Sequence, residues 1–326
     1  LQNDIIIYYF NYSLMEFIYG LNNLRRQRKN CAATIGNFDG IHLGHQLILE
    51  QLKQTAERFN LISSVLIFEP QPMEYFNLDA APSRLTRLRE KLQQFSYYNI
   101  DRVVCLKFNQ SLADLSPLEF VDNILLEGLA VKKVVVGDDF RFARNREGNY
   151  RYLLEISKEK NFDVYTTDSH VVDGTRVSST LIRNSLAKGE IAKANRYLGR
   201  PYTISGRVVH GDSRGKKLGF PTINIELHRN FPAVSGIFAG YVSGVDDKKL
   251  GAVVYIGSRP VYKGKRVILE AHILEFDREL YGRYIQVELV SKLRNDGHIT
   301  SEKELIDQIK RDIEETQRYL KNVGNE

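Results

Sequence analysis

The stretch TIGNFDGIHLGHQLIL, residues 34–49, decides how the first half of the chain folds. CAATI at 31–35 leads as an apolar run into two glycines that bracket Asn-Phe-Asp, and GHQLILEQLKQTAERF at 44–59 follows with helical spacing. Strand, glycine turn and helix open a βα unit, and its turn lies where parallel sheets bind ligands, at the carboxyl end of the strand. Gly36 and Gly40 let the backbone approach a bound group closely. His42 and His45, two of only 7 histidines, stand i and i+3 on one face of the entering helical turn. A helix start attracts phosphate, and two imidazoles there add donors for a phosphate whose charge shifts as it is attacked. Residues Gly36, Asn37, Phe38, Asp39 and Gly40 are therefore expected to line a phosphate site, with His42 and His45 at the reacting phosphorus. A transferase acting at an α-phosphate needs such positioning more than a covalent nucleophile. A zinc site is the poorer reading, because no third Cys or His lies near in the chain. Plain capping histidines are the default for an isolated pair, and the surrounding strand, glycines and helix count against it. No G-x-G-x-x-G occurs here, so a dinucleotide fingerprint is absent.

Working outward, strand patterns at 62–70, 100–108 and 131–137 alternate with helix patterns at 84–98 and 116–129. Continuous Val/Ile-rich strands between helices predict a parallel sheet covered on both faces. Beyond about residue 200 the texture changes to short strands at 202–211, 220–227, 236–245, 249–257, 266–276 and 283–293, separated by Gly, Asp and Pro. That spacing predicts an antiparallel barrel or sandwich. Residues 301–320 read as a closing helix, with Ser301 and Glu304 as a capping box and Leu305, Ile309, Ile313 and Leu320 as its apolar stripe. Residues 185–199 read as a helical bridge between the halves, and residues 1–14 as an extension without a role in the fold.

The 326 residues, 43% hydrophobic, suffice for two domains with substantial cores. No apolar run approaches the roughly 20 residues of a membrane span, so a cytoplasmic, membrane-independent protein is expected. Cys31 and Cys105 lie far apart and are expected to be buried small apolar residues. The net charge of +6 suits a partner rich in phosphate, nucleotide or nucleic acid. The basic clusters Arg25, Arg26, Arg28, Lys29 and Arg84, Arg87, Arg89, Lys91 read as solvated helix faces. An RNA-binding barrel is the rival reading, but the basic residues are scattered among acids and no RNP-like aromatic motif occurs, so nucleic acid is not expected as a partner. Self-association is not predicted.

Three further segments carry chemistry. VSSTLIR at 177–183 places Ser178, Ser179 and Thr180 at a helix start and Arg183 one turn on, which serves either as a cap or as donors to a polyphosphate. HGDSRGKKLGFPTINI at 210–225 carries Gly211, Gly215 and Gly219, fails the Walker A spacing, and reads equally as a phosphate-wrapping loop with Lys216 and Lys217 or as a long hairpin loop. After Pro221, Thr222 and Asn224 are i and i+2, hard oxygen donors on one face suited to Mg²⁺. Glu270 is an acid within the apolar VILEAHILEF, either a half-buried general base or a solvent-facing residue.

GNFDGIHLGH with VSSTLIR, FEPQP and VVVGDDFRFARNREGN resembles the H-x-G-H nucleotidyltransferases, specifically the adenylyltransferase half of prokaryotic bifunctional riboflavin kinase/FAD synthetases. GRPYTISGRVVHGDSRGKKLGFPTIN, with its G-F-P-T-x-N signature, and LYG at 280–282 resemble the flavokinase module of the same family. The resemblance implies a Rossmann-like α/β nucleotidyltransferase domain at 15–186, a helical linker at 187–198, and a riboflavin kinase β-barrel with its C-terminal helix at 199–326. It implies phosphorylation of riboflavin to FMN and adenylylation of FMN to FAD with release of pyrophosphate, with Mg²⁺ as the cofactor and ATP, riboflavin, FMN and FAD as substrates or products. His42 and His45 would steady the α-phosphate, Ser179 and Arg183 the phosphate tail, Asp139, Phe140 and Arg294 the flavin, Thr222 and Asn224 the metal, and Glu270 would take the proton. The chain departs from the family pattern at Gln71, where His is usual, and at Ala143, where Gly is. It departs again on the flavin side of the kinase module, at Tyr255 for Asn, Val261 for Thr, and at Asp296 and Ile299 for the Glu and Phe of an Arg-x-Glu-x-x-Phe run.

Overall fold

The computed structural model describes residues 5–10, 13–26, 28–211, 214–227, 232–261, 264–297 and 300–323. Ile299 and the side chain of Val261 lie outside what it describes. By its contacts the chain divides into two compact units, residues 1–82 with 87–177 and residues 83–86 with 178–326.

The first unit is built on a seven-stranded sheet: β1 (Ile5–Phe10), β2 (Ser13–Tyr19), β3 (Cys31–Ile35), β4 (Ile62–Glu69), β5 (Arg102–Lys107), β6 (Val131–Gly137) and β7 (Asp163–Thr167). Their order is β1-β2-β5-β4-β3-β6-β7, all parallel except β1, which pairs antiparallel with β2. Residues 5–10, expected to have no role in the fold, are thus an edge strand. The chain runs from β3 to β4 and β5 on one side, then crosses to β6 and β7 on the other. That crossover makes the carboxyl end of β3 the topological switch point, where such sheets bind ligands.

The strands β3, β4 and β5 are buried on both faces, which is why they read as continuous apolar runs. Leu49, Leu52 and Ala56 of helix α1 (Leu43–Arg58) with Leu92 and Phe95 of α2 (Leu88–Tyr97) form one core. Leu153 of α3 (Tyr150–Lys160) with Phe120, Val121, Ile124 and Leu125 forms the other. The expected helix at 116–129 is instead a short α-turn at Pro117–Glu119 followed by a π-helix at Phe120–Leu126, a distinction that apolar periodicity does not resolve over seven residues. Lys91, read as part of a solvated face, is fully buried with its ammonium 3.9 Å from the Glu69 carboxylate. Both cysteines are buried, and burial pushes the Cys31 thiol up to about 12 despite the nearby Arg102 guanidinium, so thiolate chemistry at neutral pH is excluded there.

In the second unit, α4 (Ser179–Lys188) and α5 (Ile191–Leu198) stand where one bridging helix was expected. Gly189, at φ +78°, ends the first in the left-handed conformation that glycine adopts without strain. A closed antiparallel barrel follows: β8 (Thr203–Val209), β9 (Ile223–Glu226), β10 (Gly236–Ser243), β11 (Leu250–Val261), β12 (Gly264–Ile273) and β13 (Tyr284–Arg294), in the order β8-β9-β12-β11-β10-β13. Its interior takes alternate residues such as Val254, Ile256, Leu269 and Ala271. Helix α6 (Glu302–Val323) packs outside β10, β11 and β13. The capping box is modified: Ser301 Oγ accepts the Glu304 amide, while the Glu304 carboxylate accepts from the amide and hydroxyl of Thr300.

Candidate functional site

In the first unit the turn after β3 is tightly wound. Phe38, Gly40 and Ile41 have φ of +47°, +87° and +41°. For Phe and Ile such conformations cost about 1 kcal/mol or more each, and they persist because both side chains are buried in the core. Gln46 Nε2 donates to the Ile41 carbonyl at 2.9 Å and closes the turn from the helix side. The Phe38 side chain, expected among the phosphate-binding residues, lies in the core, while Asn37 is exposed and Asp39 buried.

His42 is itself the cap of α1: its Nδ1 accepts the His45 amide at 3.4 Å. A ring nitrogen that accepts carries no proton, so the neutral imidazole keeps its hydrogen on Nε2 as a donor. The His45 ring stacks on it, centroids 3.7 Å apart and 20° from parallel. Phe38 backs His45 at 5.0 Å and meets Phe95 edge-on at 5.5 Å, so an aromatic pile from the core orients both imidazoles. Gly44 leaves the needed room, since a Cβ there would lie 3.3 Å from the His42 ring and 3.9 Å from His170 Cβ. A third histidine thus comes closer than chain order implied, yet the described residues contain no group of three or more His, Cys, Asp or Glu that could hold a metal.

Beyond β6, Asp139 is largely exposed and pairs at 2.7 Å with Arg176, which also reaches Asp138 at 3.0 Å. Phe140 stacks on Phe142, centroids 5.4 Å apart. Gly148 is required beneath that ring, because a Cβ there would lie 2.4 Å from it. Ala143, where the family usually has glycine, sits at φ +64° and ψ −172°, a region essentially reserved for glycine. Ala143→Gly is expected to raise the stability of the first unit by about 1 kcal/mol after glycine's own entropy cost, a Tm increase of a few degrees checked by thermal melting.

Of the predicted phosphate-tail residues, all belong to the second unit. Ser178 Oγ accepts the Leu181 amide at 3.2 Å and caps α4, so its bland reading is realised. Ser179 is half-buried and Thr180 exposed, and Arg183 Nε donates to the Ser83 carbonyl at 2.7 Å, which directs its guanidinium.

The barrel carries the other group. Asn224 of β9 pairs in register with Glu270 of β12, so the two side chains share the outer face. Thr222 precedes β9. A Cβ on Gly211 would lie 2.3 Å from the Asn224 amide, and one on Gly215 would lie 2.4 Å from the Phe220 carbonyl, so both loop glycines are there for close approach. Gly219 adopts φ +87°. Gly211, Lys216, Pro221, Thr222 and Asn224 line an open cleft of about 230 Å³ with Tyr281 at its far wall. Both expected loop lysines are exposed, and Lys216 lines the cleft. Glu270 is half-buried on an otherwise regular strand.

Arg294, expected at the flavin, gives Nε and Nη2 to the Asp312 carboxylate at 2.9 and 2.8 Å, with Gln308 also donating to Asp312. The bond to Asp312 outweighs burial and raises the Arg294 pKa further, so its charge is fixed and it anchors α6 to β13. Sequence reasoning missed Asp312, a polar residue on the buried face of α6, and also His272, whose ring nitrogen donates to the Pro221 carbonyl at 2.8 Å and holds the turn before Thr222. The position of His272, i+2 from Glu270 and so on the same strand face, was its available signal.

Comparison with known proteins finds two families in succession along the chain. The family described as FAD synthetase matches residues 24–181, and the family described as riboflavin kinase matches residues 198–320. A bifunctional riboflavin kinase/FMN adenylyltransferase from Escherichia coli K12 is 44% identical over 91% of this chain and 96% of its own length. Those of Buchnera aphidicola (from Schizaphis graminum) and Haemophilus influenzae are each 40% identical over 94% of this chain and 99% of theirs. A crystal structure described as a macrolide-efflux protein from Streptococcus pneumoniae matches with a TM-score of 0.76 over 92% of this chain and 98% of its own, at 24% identity, and shares the fold. No described helix is long and apolar enough to cross a membrane. Both halves of the fold and relatives matching nearly end to end place the chain in the bifunctional riboflavin kinase/FMN adenylyltransferase family.

Proposed function

We propose that the chain makes FAD from riboflavin in two ATP-dependent steps, each run by its own fold. The activities are those of its family: riboflavin kinase and FMN adenylyltransferase. The observation that carries the division of labour is that each fold offers phosphate-directed groups where its architecture permits them. In the first unit these are the stacked His42 and His45 at the switch point. In the barrel they are Thr222, Asn224 and Glu270 around a glycine loop.

In the adenylyltransferase step, an FMN phosphate oxygen attacks the α-phosphorus of ATP and the bond to pyrophosphate breaks. His42 Nε2–H donates to the α-phosphate oxygens as their charge grows, and His45 holds its plane. Asp139 and Phe140 take the flavin. In the kinase step, Glu270 removes the proton of the terminal ribityl hydroxyl as that oxygen attacks the γ-phosphorus of ATP, and ADP leaves. Thr222 and Asn224 would hold Mg²⁺ there, which neutralises phosphate charge. Their hard oxygens fit an ion whose remaining ligands come from the nucleotide. Domain limits of 15–186 and 199–326 with a linker at 187–198, and action in the cytoplasm, complete the reading.

A chromatographic time course with the full chain, Mg²⁺-ATP and riboflavin, repeated from FMN, tests it. FMN appearing first and FAD after is expected. FAD formed from FMN but no FMN from riboflavin would reduce the protein to one activity.

A further inference from the structure

The strand register fixes which side chains flank Glu270. Asn224 of β9, Glu270 of β12 and Tyr255 of β11 are successive cross-strand partners, so they form one row on the outer face of the barrel. The row continues through Ile237 of β10 to Arg294 of β13. The nucleotide cleft lies on the Asn224 side of this row, lined by the glycine loop. Phosphoryl transfer runs roughly in line, with the attacking and leaving oxygens on opposite sides of phosphorus. The acceptor therefore approaches Glu270 from the other side, and the first side chain there is Tyr255.

Tyr255 is held in place. Its ring lies across Gly257, where a Cβ would fall 2.2 Å from the phenol oxygen. Its hydroxyl donates to Asp296 Oδ2 at 2.9 Å. Asp296 follows two residues after Arg294, which the Asp312 carboxylate clamps to α6. These are two of the positions where the chain departs from its family's pattern. Here they are partners: a longer aromatic side chain on β11 and a carboxylate one methylene shorter after β13 meet at hydrogen-bond distance.

We propose that Tyr255 is the flavin-specificity residue of the kinase site, its phenol ring packing against the acceptor's flat ring system, and that Asp296 is a positioning residue that sets the angle of that ring. This rests on the assignment of Glu270 as the base. A planar ring locked at both ends loses little entropy on binding a planar ligand, so its contribution falls on acceptor binding and leaves nucleotide binding alone.

Initial-rate kinase kinetics on the full-length protein test this, with riboflavin and Mg²⁺-ATP varied in turn. Tyr255→Ala is expected to raise KM for riboflavin about tenfold while KM for ATP stays within twofold. Tyr255→Phe and Asp296→Ala each remove the tether, and each is expected to raise riboflavin KM about threefold. The double variant Y255F/D296A is expected to be no worse than either alone, because both remove one bond. Asp296→Asn keeps an acceptor oxygen and is expected to stay near wild type. Riboflavin KM unchanged in Y255A, equal rises for both substrates, or additive effects in the double variant would overturn the proposal. Should Y255A fail to fold, the two tether variants and their combination decide the matter. Glu270→Gln separates the levels: an inactive Glu270→Gln with a silent Y255A removes only this inference, whereas a fully active Glu270→Gln removes the base assignment beneath it.

Discussion

His42→Ala is expected to make FAD from FMN about 10²–10³-fold more slowly, with FMN formation from riboflavin unchanged. The magnitude is that of removing one preorganised donor from a developing phosphate charge. His42 Nδ1 accepts the His45 amide, which leaves Nε2 to carry the ring's proton as a donor. Loss of the ring also deprives His45 of its stacking partner at 3.7 Å. Because His42 caps α1, the alanine variant gives up about 1 kcal/mol of helix stability as well. His42→Asn separates the two effects, since asparagine caps well and cannot place a donor at the same reach. Steady-state FAD formation by both variants, alongside their melting curves, makes the distinction. Loss of riboflavin phosphorylation in His42→Ala would contradict independent sites.

Glu270→Gln is expected to do the reverse, lowering riboflavin phosphorylation about 10²–10⁴-fold, the usual worth of a positioned general base. Glutamine keeps the shape of the side chain and the register of β12 against β9 and β11, so the barrel stays intact. KM for ATP is expected to hold, because Thr222, Asn224 and the glycine loop are untouched. FAD formation from supplied FMN continues at the wild-type rate. A Glu270→Gln enzyme with unchanged kinase turnover would remove Glu270 from its role and leave the row on the barrel face without a base.

Local sequence carried the fold where geometry is local. The parallel strands β3 to β6 announced themselves by their largely apolar, Val/Ile-rich stretches, and the barrel strands as short segments set off by turn residues. The His42/His45 pair was readable because helical spacing alone puts i and i+3 together. What chain order hid was non-local. His170 beside Gly44, and Tyr255 bonded to Asp296 41 positions on, become neighbours only through strand order and register. Lys91 misled by type and Asp312 went unremarked, because charged side chains usually lie at the surface, yet each is buried against an opposite charge. Phe38 stands inside the loop expected to meet a phosphate, and its ring packs into the core, a placement its neighbours in sequence did not reveal. Ala143 was legible only as a departure from pattern, and its left-handed backbone supplies the reason that pattern prefers glycine.

The central claim is that two independent sites on one chain act in sequence on one flavin. The most direct measurement mixes His42→Ala and Glu270→Gln proteins in equal amounts with riboflavin and Mg²⁺-ATP and follows the flavins by chromatography. Alone, the first is expected to stop at FMN and the second to leave riboflavin unchanged. Together they are expected to produce FAD, because FMN released by one is adenylylated by the other. A mixture that yields no more FAD than its separate components would contradict the account.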